Sequence, residues 1–287
     1  MRRARMVINP IPWARGGWSQ LHEAINMLDD AGIQLDVSFT KITEAMTQSV
    51  RHAVEQGYDL VIAGGGDGTV SEVAAGLVGT GIPLGILPVG TFNNIAHSLH
   101  LPFDLPMAAR NIAQGKTCDI DVGSANGVYF FEAVGVGLDA SLFPIGEEIK
   151  GGHYERLLEG AVRFLRYRKM EITLLIDGNE LRLESPMVVI ANGPYYGAGF
   201  TIAPQADMTD GVFDVITFEC TRTEVARHFA LAAQHREHQE PCLSRLQGTE
   251  IEVLSLVPLP AHADGKLLGT GRVAIRVLPR ALRVIVP

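Results

Sequence analysis

Three scarcities in this sequence each exclude a class of protein. Only three cysteines occur among 287 residues, and their spacing fits no zinc site, so Cys118, Cys220 and Cys242 are expected to be reduced thiols without disulfides. Acidic residues outnumber basic ones by 32 to 24, and the net charge of −8 argues against nucleic acid as a partner. Apolar runs are too short to cross a bilayer and no signal peptide is recognisable, so we expect a cytoplasmic protein.

Familiar catalytic signatures are missing as well. The chain has no Gly-x-Ser-x-Gly elbow and no His-Glu-x-x-His helix, which removes support for serine hydrolysis and for a zinc protease. Hydrophobic residues nevertheless make up 47% of the chain and charged residues 20%, as in a soluble globular protein. The length suits one large domain or two ordinary ones.

A glycine-rich stretch is the most informative feature of the chain. Residues 64–69 read Gly-Gly-Gly-Asp-Gly-Thr and lie between a short apolar run and a helical pattern. A strand that turns on glycines into a helix leaves backbone N–H groups where the helix dipole favours anions, so phosphate is the expected ligand. Asp67 adds a carboxylate suited to a metal or a hydroxyl. The stretch matches neither the Walker motif nor the dinucleotide spacing, and a turn without any ligand is the alternative.

Strand and helix patterns alternate over the first part of the chain. The strands are predicted near 5–9, 34–39, 60–63 and 83–87, and the helices near 19–31, 44–55, 69–78 and 105–114. This alternation predicts a doubly wound α/β domain, in which ligands bind beyond the carboxyl ends of the strands. Asn9, Thr40, the glycine stretch and residues 87–94 fall at those ends. Gly90 repeats the logic of the first glycine turn, with Thr91 as the expected N-cap of the next helix.

From residue 116 onward the pattern changes to short β-like runs separated by turn dipeptides such as Asn126-Gly127. This half is predicted to be an antiparallel β-sandwich, with helices near 155–168 and 223–234. Gly135 and Gly137 are interpreted as close strand packing. We therefore expect a nucleotide-binding α/β domain over 1–118 and a β-rich acceptor domain over 119–278, with a tail at 279–287 that packs back on the first domain.

Two turns in the second half carry carboxylates. Residues 207–214 read Asp-Met-Thr-Asp-Gly-Val-Phe-Asp, which offers oxygen ligands for a hard cation at Asp210 or else forms a plain β-turn. Asp264-Gly265 lies between two strand patterns, which is the commonest hairpin signal. Neither turn is specific when taken alone.

The order of these motifs resembles the diacylglycerol kinase catalytic-domain family, which includes bacterial lipid kinases and the sphingosine and ceramide kinases. The resemblance extends over nearly the whole chain. It runs through Asn9-Pro10, Gly65-Gly66-Asp67-Gly68-Thr69-x-x-Glu72-Val73, Leu87-Pro88-x-Gly90-Thr91-x-Asn93, Asp121-Val122-Gly123, Ala191-Asn192-Gly193, Ala203-Pro204, Asp210-Gly211, Asp264-Gly265 and Pro279-Arg280-Ala281-Leu282-x-Val284.

The resemblance implies ATP and Mg²⁺ as cofactors and phosphoryl transfer to a lipid hydroxyl such as that of diacylglycerol. Asp264 would be the general base, and Asp67 would lie near Mg²⁺ and the phosphates. Asp210 would hold a structural cation with carbonyls such as those of Asp207 and Val212, and Asp121 would support the catalytic magnesium. The residues implied to hold ATP are Asn9, Thr40, Gly65, Gly66, Asp67, Gly68, Thr69, Glu72, Gly90, Thr91 and Asn93.

Two positions depart from the family pattern. Where the family usually has Asp after the Asn of the second loop, this chain has Asn94, and where it usually has Asp-Gly-Glu, this chain has Lys266 in the third place. Two accounts are open. In the first, Lys266 neutralises phosphate charge directly and the kinase is active. In the second, Mg²⁺ binding is weakened and the protein is slow or inactive. We favour the first account because Asp67 and Asp264 both remain.

The acceptor and the partners are less defined. A basic, amphipathic stretch at 154–169 is expected to contact anionic lipid at the inner face of the membrane, or simply to pack on the sheet. Alternatives to a lipid kinase are a kinase for a soluble hydroxyl acceptor, similar to NAD kinase or phosphofructokinase, and a catalytically silent nucleotide- or lipid-binding protein. The oligomeric state is open, with a homodimer as one option.

Overall fold

The computed structural model describes residues 2–10, 18–39, 46–142, 156–232 and 242–287. The chain divides into two compact units, each described here by itself. Unit 1 consists of Met1–Val122 with Pro279–Pro287, and unit 2 of Gly123–Leu278. Two long strands, β5 (Lys116–Ala125) and β18 (Val273–Val286), contribute residues to both units.

Unit 1 alternates strands and helices along the chain. Its elements are β1 (Arg2–Ile8), α1 (Trp18–Asp30), β2 (Ile33–Phe39), α2 (Met46–Glu55), β3 (Leu60–Gly65), α3 (Asp67–Leu77), β4 (Leu84–Pro88), α4 (Asn94–Ser98) and α5 (Leu105–Gln114). The strands are parallel in the order β2-β1-β3-β4, and Val284 of β18 pairs with Leu84. The tail at 279–287 thus adds its strand beside β4.

Alternation along the central strands gives unit 1 two buried faces. Met6 and Ile62 point to one face, where they pack with Leu28 of α1 and Ile112 of α5. Successive strand residues point to opposite faces, so the neighbouring buried residues of β1 and β3 lie on the other face; α3 contacts β3 and packs in turn against α2. The predicted doubly wound α/β domain is confirmed.

Unit 2 is built from antiparallel strands. Its elements are β6 (Val128–Phe130), β7 (Ala133–Gly137), α6 (Arg156–Arg166), β8 (Met170–Ile176), β9 (Asn179–Ser185), β10 (Met187–Ala191), β11 (Tyr195–Tyr196), β12 (Phe200–Thr201), β13 (Phe213–Phe218), α7 (Arg222–Ala232), β14 (Leu243–Gly248), β15 (Glu250–Ser255), β16 (Pro260–Ala263) and β17 (Lys266–Thr270). One sheet has the order β14-β13-β10-β7-β16-β17. In the other sheet of the unit, β8 pairs with β9 and β15, and β15 pairs with residues 273–276 of β18.

The core of unit 2 lies between these sheets. Val136 and Val188 project from the first sheet and pack with Leu174 and Val253 from the second. The same strands bury their other face as well, since Val189 of β10 packs with Ile216 and Phe218 of β13. The predicted antiparallel β-sandwich is confirmed.

The expectation of three reduced cysteines is wrong. Cys220 and Cys242 form a disulfide, while Cys118 is a free thiol. The cause is strand pairing: β13 and β14 are antiparallel with Phe218 opposite Leu243, so the residues just beyond these strands meet. The Cα atoms are 4.9 Å apart although the cysteines are 22 positions apart in sequence.

Helix α6 covers residues 156–166 of the basic stretch predicted at 154–169; residues 167–169 follow the helix, and the first two residues of the stretch lie outside the described residues. Within the part of the chain that the structure describes, no helix is both long enough and apolar enough to cross a membrane.

Candidate active site

The glycine stretch joins β3 to α3 in unit 1. The N-cap of α3 is Gly66, which has no side chain with which to cap the helix. A Cβ on Gly65 would lie 2.4 Å from Cβ of Thr69, so only glycine lets the first turn of the helix pack on the strand end. Asn9, at the end of β1, donates its side-chain N–H to Oγ1 of Thr69 at 3.4 Å. The loop therefore has the strand-to-helix geometry of an anion site.

The second glycine loop lies against the first one. A Cβ on Gly66 would be 3.0 Å from Cα of Gly90, so the two backbones are in contact. The Asn93 side chain makes two hydrogen bonds to Gly90: Oδ1 accepts the Gly90 N–H at 2.8 Å, and Nδ2 donates to the Gly90 carbonyl at 3.0 Å. The prediction of Thr91 as N-cap is wrong. Asn93 holds that position in a left-handed conformation (φ 52°), which Asn tolerates better than Thr.

Asp67 connects the two loops through a hydrogen bond. Its Oδ1 accepts the N–H of Ile95 in the first turn of α4 at 3.2 Å. Asn94, one of the two departures from the family pattern, is the first residue of α4 and is buried. Asn9, Thr69, Asp67 and the two glycine loops therefore lie together in unit 1.

Other predicted nucleotide residues have different surroundings. The carboxylate of Glu72 accepts the hydroxyl of Thr47 on α2 at 2.9 Å, and Thr91 is exposed. Thr40 lies outside the described residues. Buried Asp121 accepts the N–H of Arg280 at 2.8 Å, which fixes a left-handed residue (φ 51°) at the start of the C-terminal tail.

Asp264 lies at the tip of a two-residue hairpin in unit 2. Ala263 pairs with Lys266, and both Asp264 (φ 44°) and Gly265 (φ 81°) are left-handed, as a type I′ turn requires. The turn expected from the Asp-Gly dipeptide is therefore present. The turn directs the Asp264 side chain toward residues 131–133, at the start of β7.

Three backbone N–H groups hold the Asp264 carboxylate. Oδ2 accepts from Phe131 at 2.6 Å, and Oδ1 accepts from Glu132 at 3.0 Å and Ala133 at 3.1 Å. Burial raises the pKa of Asp264 to about 6, against the lowering effect of these three bonds. A fixed carboxylate with this pKa can accept a proton near neutral pH.

A buried cluster beside Asp264 was not indicated by any sequence pattern. His262 Nε2 lies 2.7 Å from the hydroxyl of Tyr196 and 3.0 Å from Oδ2 of Asp139. A Cβ on Gly135 would lie 1.7 Å from that same Oδ2, so this glycine makes room for the cluster. The sequence gives no signal because the partners are far apart along the chain.

Residues 207–212 of the predicted cation site form local turns, and residues 213 and 214 begin β13. Oδ1 of Asp207 accepts the N–H and the hydroxyl of Thr209 at 2.9 and 2.7 Å, and Oδ1 of Asp210 accepts the N–H of Val212 at 3.1 Å. Among the residues that the structure describes, no group of three or more His, Cys, Asp or Glu side chains is placed to hold a metal. Cation binding at Asp210 stays a prediction.

An apolar cavity of about 370 Å³ lies beside α6 and α7 in unit 2. Phe164, Tyr167 and Val225 line it together with the cationic residues Arg168 and Arg222. Its volume lies within the range of small-molecule pockets.

Comparisons with known proteins identify the family to which the chain belongs. Residues 3–125 match the model of the diacylglycerol kinase catalytic domain. Residues 133–286, more than half of the chain, match the YegS C-terminal NAD kinase beta sandwich-like domain. The chain belongs to the diacylglycerol kinase family of lipid kinases.

Relatives and solved structures cover the whole chain. An uncharacterized protein of Synechocystis sp. is 28% identical, with 70% of its length covered, and a diacylglycerol kinase of Staphylococcus aureus is 26% identical, with 93% covered. A solved diacylglycerol kinase structure from Bacillus anthracis str. Sterne has a TM-score of 0.77 at 22% identity. Another from the same strain has a TM-score of 0.81 at 23% identity, and 97% of each structure is covered. At these identities the two structures show the fold.

Proposed function

We propose that the protein is an ATP- and Mg²⁺-dependent kinase that phosphorylates a hydroxyl of a lipid such as diacylglycerol. One observation carries the proposal: in a chain of this family, Asp264 is held by three backbone N–H groups and has its pKa raised to about 6. In this role Asp264 takes the proton of the acceptor hydroxyl as its oxygen attacks the γ-phosphorus, and ADP leaves. Phosphoryl transfer otherwise requires alignment and charge neutralisation.

The two glycine loops of unit 1 would hold the nucleotide phosphates. The contact between Gly66 and Gly90 brings the backbone of both loops to a helix N-terminus whose N-cap is a glycine, which favours an anion. Asp67 would hold Mg²⁺, which would neutralise phosphate charge. Its bond to Ile95 is compatible with this role, because a carboxylate has about four acceptor sites and Mg²⁺ takes most of its ligands from phosphates and water.

Contact with an anionic membrane would bring the enzyme to its acceptor. Leu158 and Leu165 are seven positions apart on α6, are 74% and 61% exposed, and so share one face. Arg166 and Lys169 add exposed positive charge to an acidic protein. An apolar face flanked by cations suits the boundary between headgroups and acyl chains.

The activity is tested by radiolabel transfer from γ-labelled ATP, with Mg²⁺, to a lipid extract and to a soluble extract in parallel. Label in the lipid fraction supports the proposal, whereas label only in soluble products indicates the NAD kinase-like alternative. No transfer to either, together with ATP protection against thermal unfolding, indicates a silent binding protein.

A variant tests the role of Asp264 as general base. Asp264→Asn is expected to lower kcat by a factor of about 10² to 10⁴, as removal of a general base should, while ATP still protects the fold against heating.

A second pair of variants tests the membrane contact. Leu165→Glu on α6 should reduce sedimentation with phosphatidylglycerol vesicles, whereas Leu181→Glu, at an exposed leucine of β9, should not. If the two variants sediment with the vesicles to the same extent, the membrane contact is contradicted.

A further inference from the structure

We propose that His262 is a positioning residue for Asp264, and that Asp139 and Tyr196 hold it in the one tautomer that can do this. The inference rests on the proposed role of Asp264 as general base. It adds to that role a cluster of three side chains that fixes the turn containing Asp264.

The hydrogen bond to the turn defines the tautomer. The N–H of Gly265, the residue after Asp264, donates to Nδ1 of His262 at 3.2 Å. A ring nitrogen that accepts a hydrogen bond carries no proton, so the proton of the neutral ring is on Nε2. Only this tautomer can accept the hydrogen bond from Gly265.

On the opposite side of the ring, Nε2 of His262 faces the hydroxyl of Tyr196 and the carboxylate of Asp139. Tyr196 donates its hydroxyl to Oδ2 of Asp139 at 2.6 Å, and Nε2 of His262 faces that oxygen at 3.0 Å and the Tyr196 oxygen at 2.7 Å. Burial, and then the Asp139 carboxylate, raises the pKa of Tyr196 well above its usual value, so the hydroxyl stays a donor. Two acceptors therefore face Nε2–H, which favours the tautomer that leaves Nδ1 open to Gly265.

The cluster is enclosed by the fold. His262 is fully buried and Tyr196 nearly so, and their rings are stacked with centroids 5.8 Å apart. Gly135 on the adjacent strand leaves the necessary space, because a Cβ there would lie 2.7 Å from Nε2 of His262. A side chain at position 135 would displace both the ring and Asp139.

Loss of this bond should affect the chemical step. Asp264 and Gly265 are both left-handed, and a non-glycine residue in that region is held there by its surroundings. Without the bond to Gly265 the turn can relax and move the carboxylate, and a displacement of about 1 Å can lower a rate about 100-fold. ATP binds through unit 1 in the proposed function, so its KM should not change.

Two substitutions distinguish positioning from simple packing. In His262→Asn the side-chain oxygen can take the place of Nδ1 and accept from Gly265, whereas in His262→Gln the polar group replaces Nε2. We expect His262→Asn to keep kcat within about tenfold of the wild type and His262→Gln to lose about 100-fold, with the same KM for ATP. His228→Asn, a second buried histidine of unit 2, is the control and should leave kcat unchanged. Equal losses in the two His262 variants would overturn the proposal.

Two measurements do not depend on activity. Nitrogen-15 spectra of the wild type should show a neutral ring protonated on Nε2, and amide exchange at Gly265 should be slow in the wild type and in His262→Asn but fast in His262→Gln. A ring protonated on Nδ1, or equal exchange in all three proteins, refutes the positioning role even if the variants are unstable. A wild type that shows these signatures but transfers no phosphate refutes the proposed function instead.

Discussion

Gly66 and Gly90 are in backbone contact, because a Cβ on Gly90 would lie only 2.4 Å from the Cα of Gly66. These glycines follow β3 and β4, so the contact joins the ends of two neighbouring parallel strands. The bond from Ile95 to Asp67 joins the same loops a second time. The two turns therefore form one continuous backbone surface.

Gly90→Ala is expected to abolish nucleotide binding, since its methyl group would meet main-chain atoms that cannot rotate away. Shifting either loop should also move the Asp67 carboxylate. ATP should stabilise the wild type against heating and should have no effect on the variant, measured as the change in Tm with and without Mg²⁺.

Gly57→Asn is the matched control for this experiment. Gly57 is left-handed (φ 74°), a side chain there meets nothing within 4 Å, and Asn tolerates such a backbone. The control should retain the full ATP shift. Retention of that shift by Gly90→Ala would mean that the phosphates do not use this surface.

Activity should depend on pH through Asp264. The general base must be deprotonated to act, and its pKa is about 6, so kcat/KM should fall tenfold per pH unit below about 6 and level off above it. ATP also ionises in this range, so the residual rate of Asp264→Asn supplies the reference profile. An acid limb that is identical in the wild type and the variant would show that Asp264 is not the titrating base.

Lys266 should support phosphoryl transfer by neutralising negative charge on the phosphoryl group while that group is transferred to the acceptor hydroxyl at Asp264. Lys266→Ala is expected to lower kcat about tenfold, which corresponds to about 1.4 kcal/mol. Lys116→Ala, which removes an exposed lysine of unit 1, should have no effect. If Lys266→Glu, alone or with Asn94→Asp, raises kcat instead, the departures weaken Mg²⁺-dependent catalysis.

The sequence was sufficient wherever the signal is local. Consecutive glycines after a strand predicted the strand-to-helix turn at 64–68, and Asp264-Gly265 predicted a hairpin, because backbone sterics restrict such turns to a few residue types. The alternation of strand and helix patterns predicted the α/β domain, and short β-like runs between turn dipeptides predicted the sandwich.

Contacts between distant residues could not be predicted from the sequence. His262 lies 123 positions from Asp139 and 66 from Tyr196, so no spacing relates them. Thr91 was the expected N-cap because Thr is a common cap residue, whereas the left-handed backbone at the actual N-cap, Asn93, is not visible in the sequence. The pairing of Cys220 with Cys242 likewise depends on the register of β13 and β14.

The disulfide should stabilise unit 2 by restricting its unfolded chain. Closing a loop over 22 positions contributes roughly 3 kcal/mol, so Cys220→Ser should lower the free energy of unfolding in urea by about that amount. A reductant should lower the stability of the wild type equally and leave Cys220→Ser unaffected.

Cys118→Ser is the control for this prediction, because Cys118 is a free thiol and its loss should leave both the stability and the response to reductant unchanged. Alkylation of denatured protein without reductant should label Cys118 alone. If all three cysteines are labelled, the purified protein lacks the bond; β13 and β14 must then be held by their ladder alone, and reductant should not change the urea midpoint.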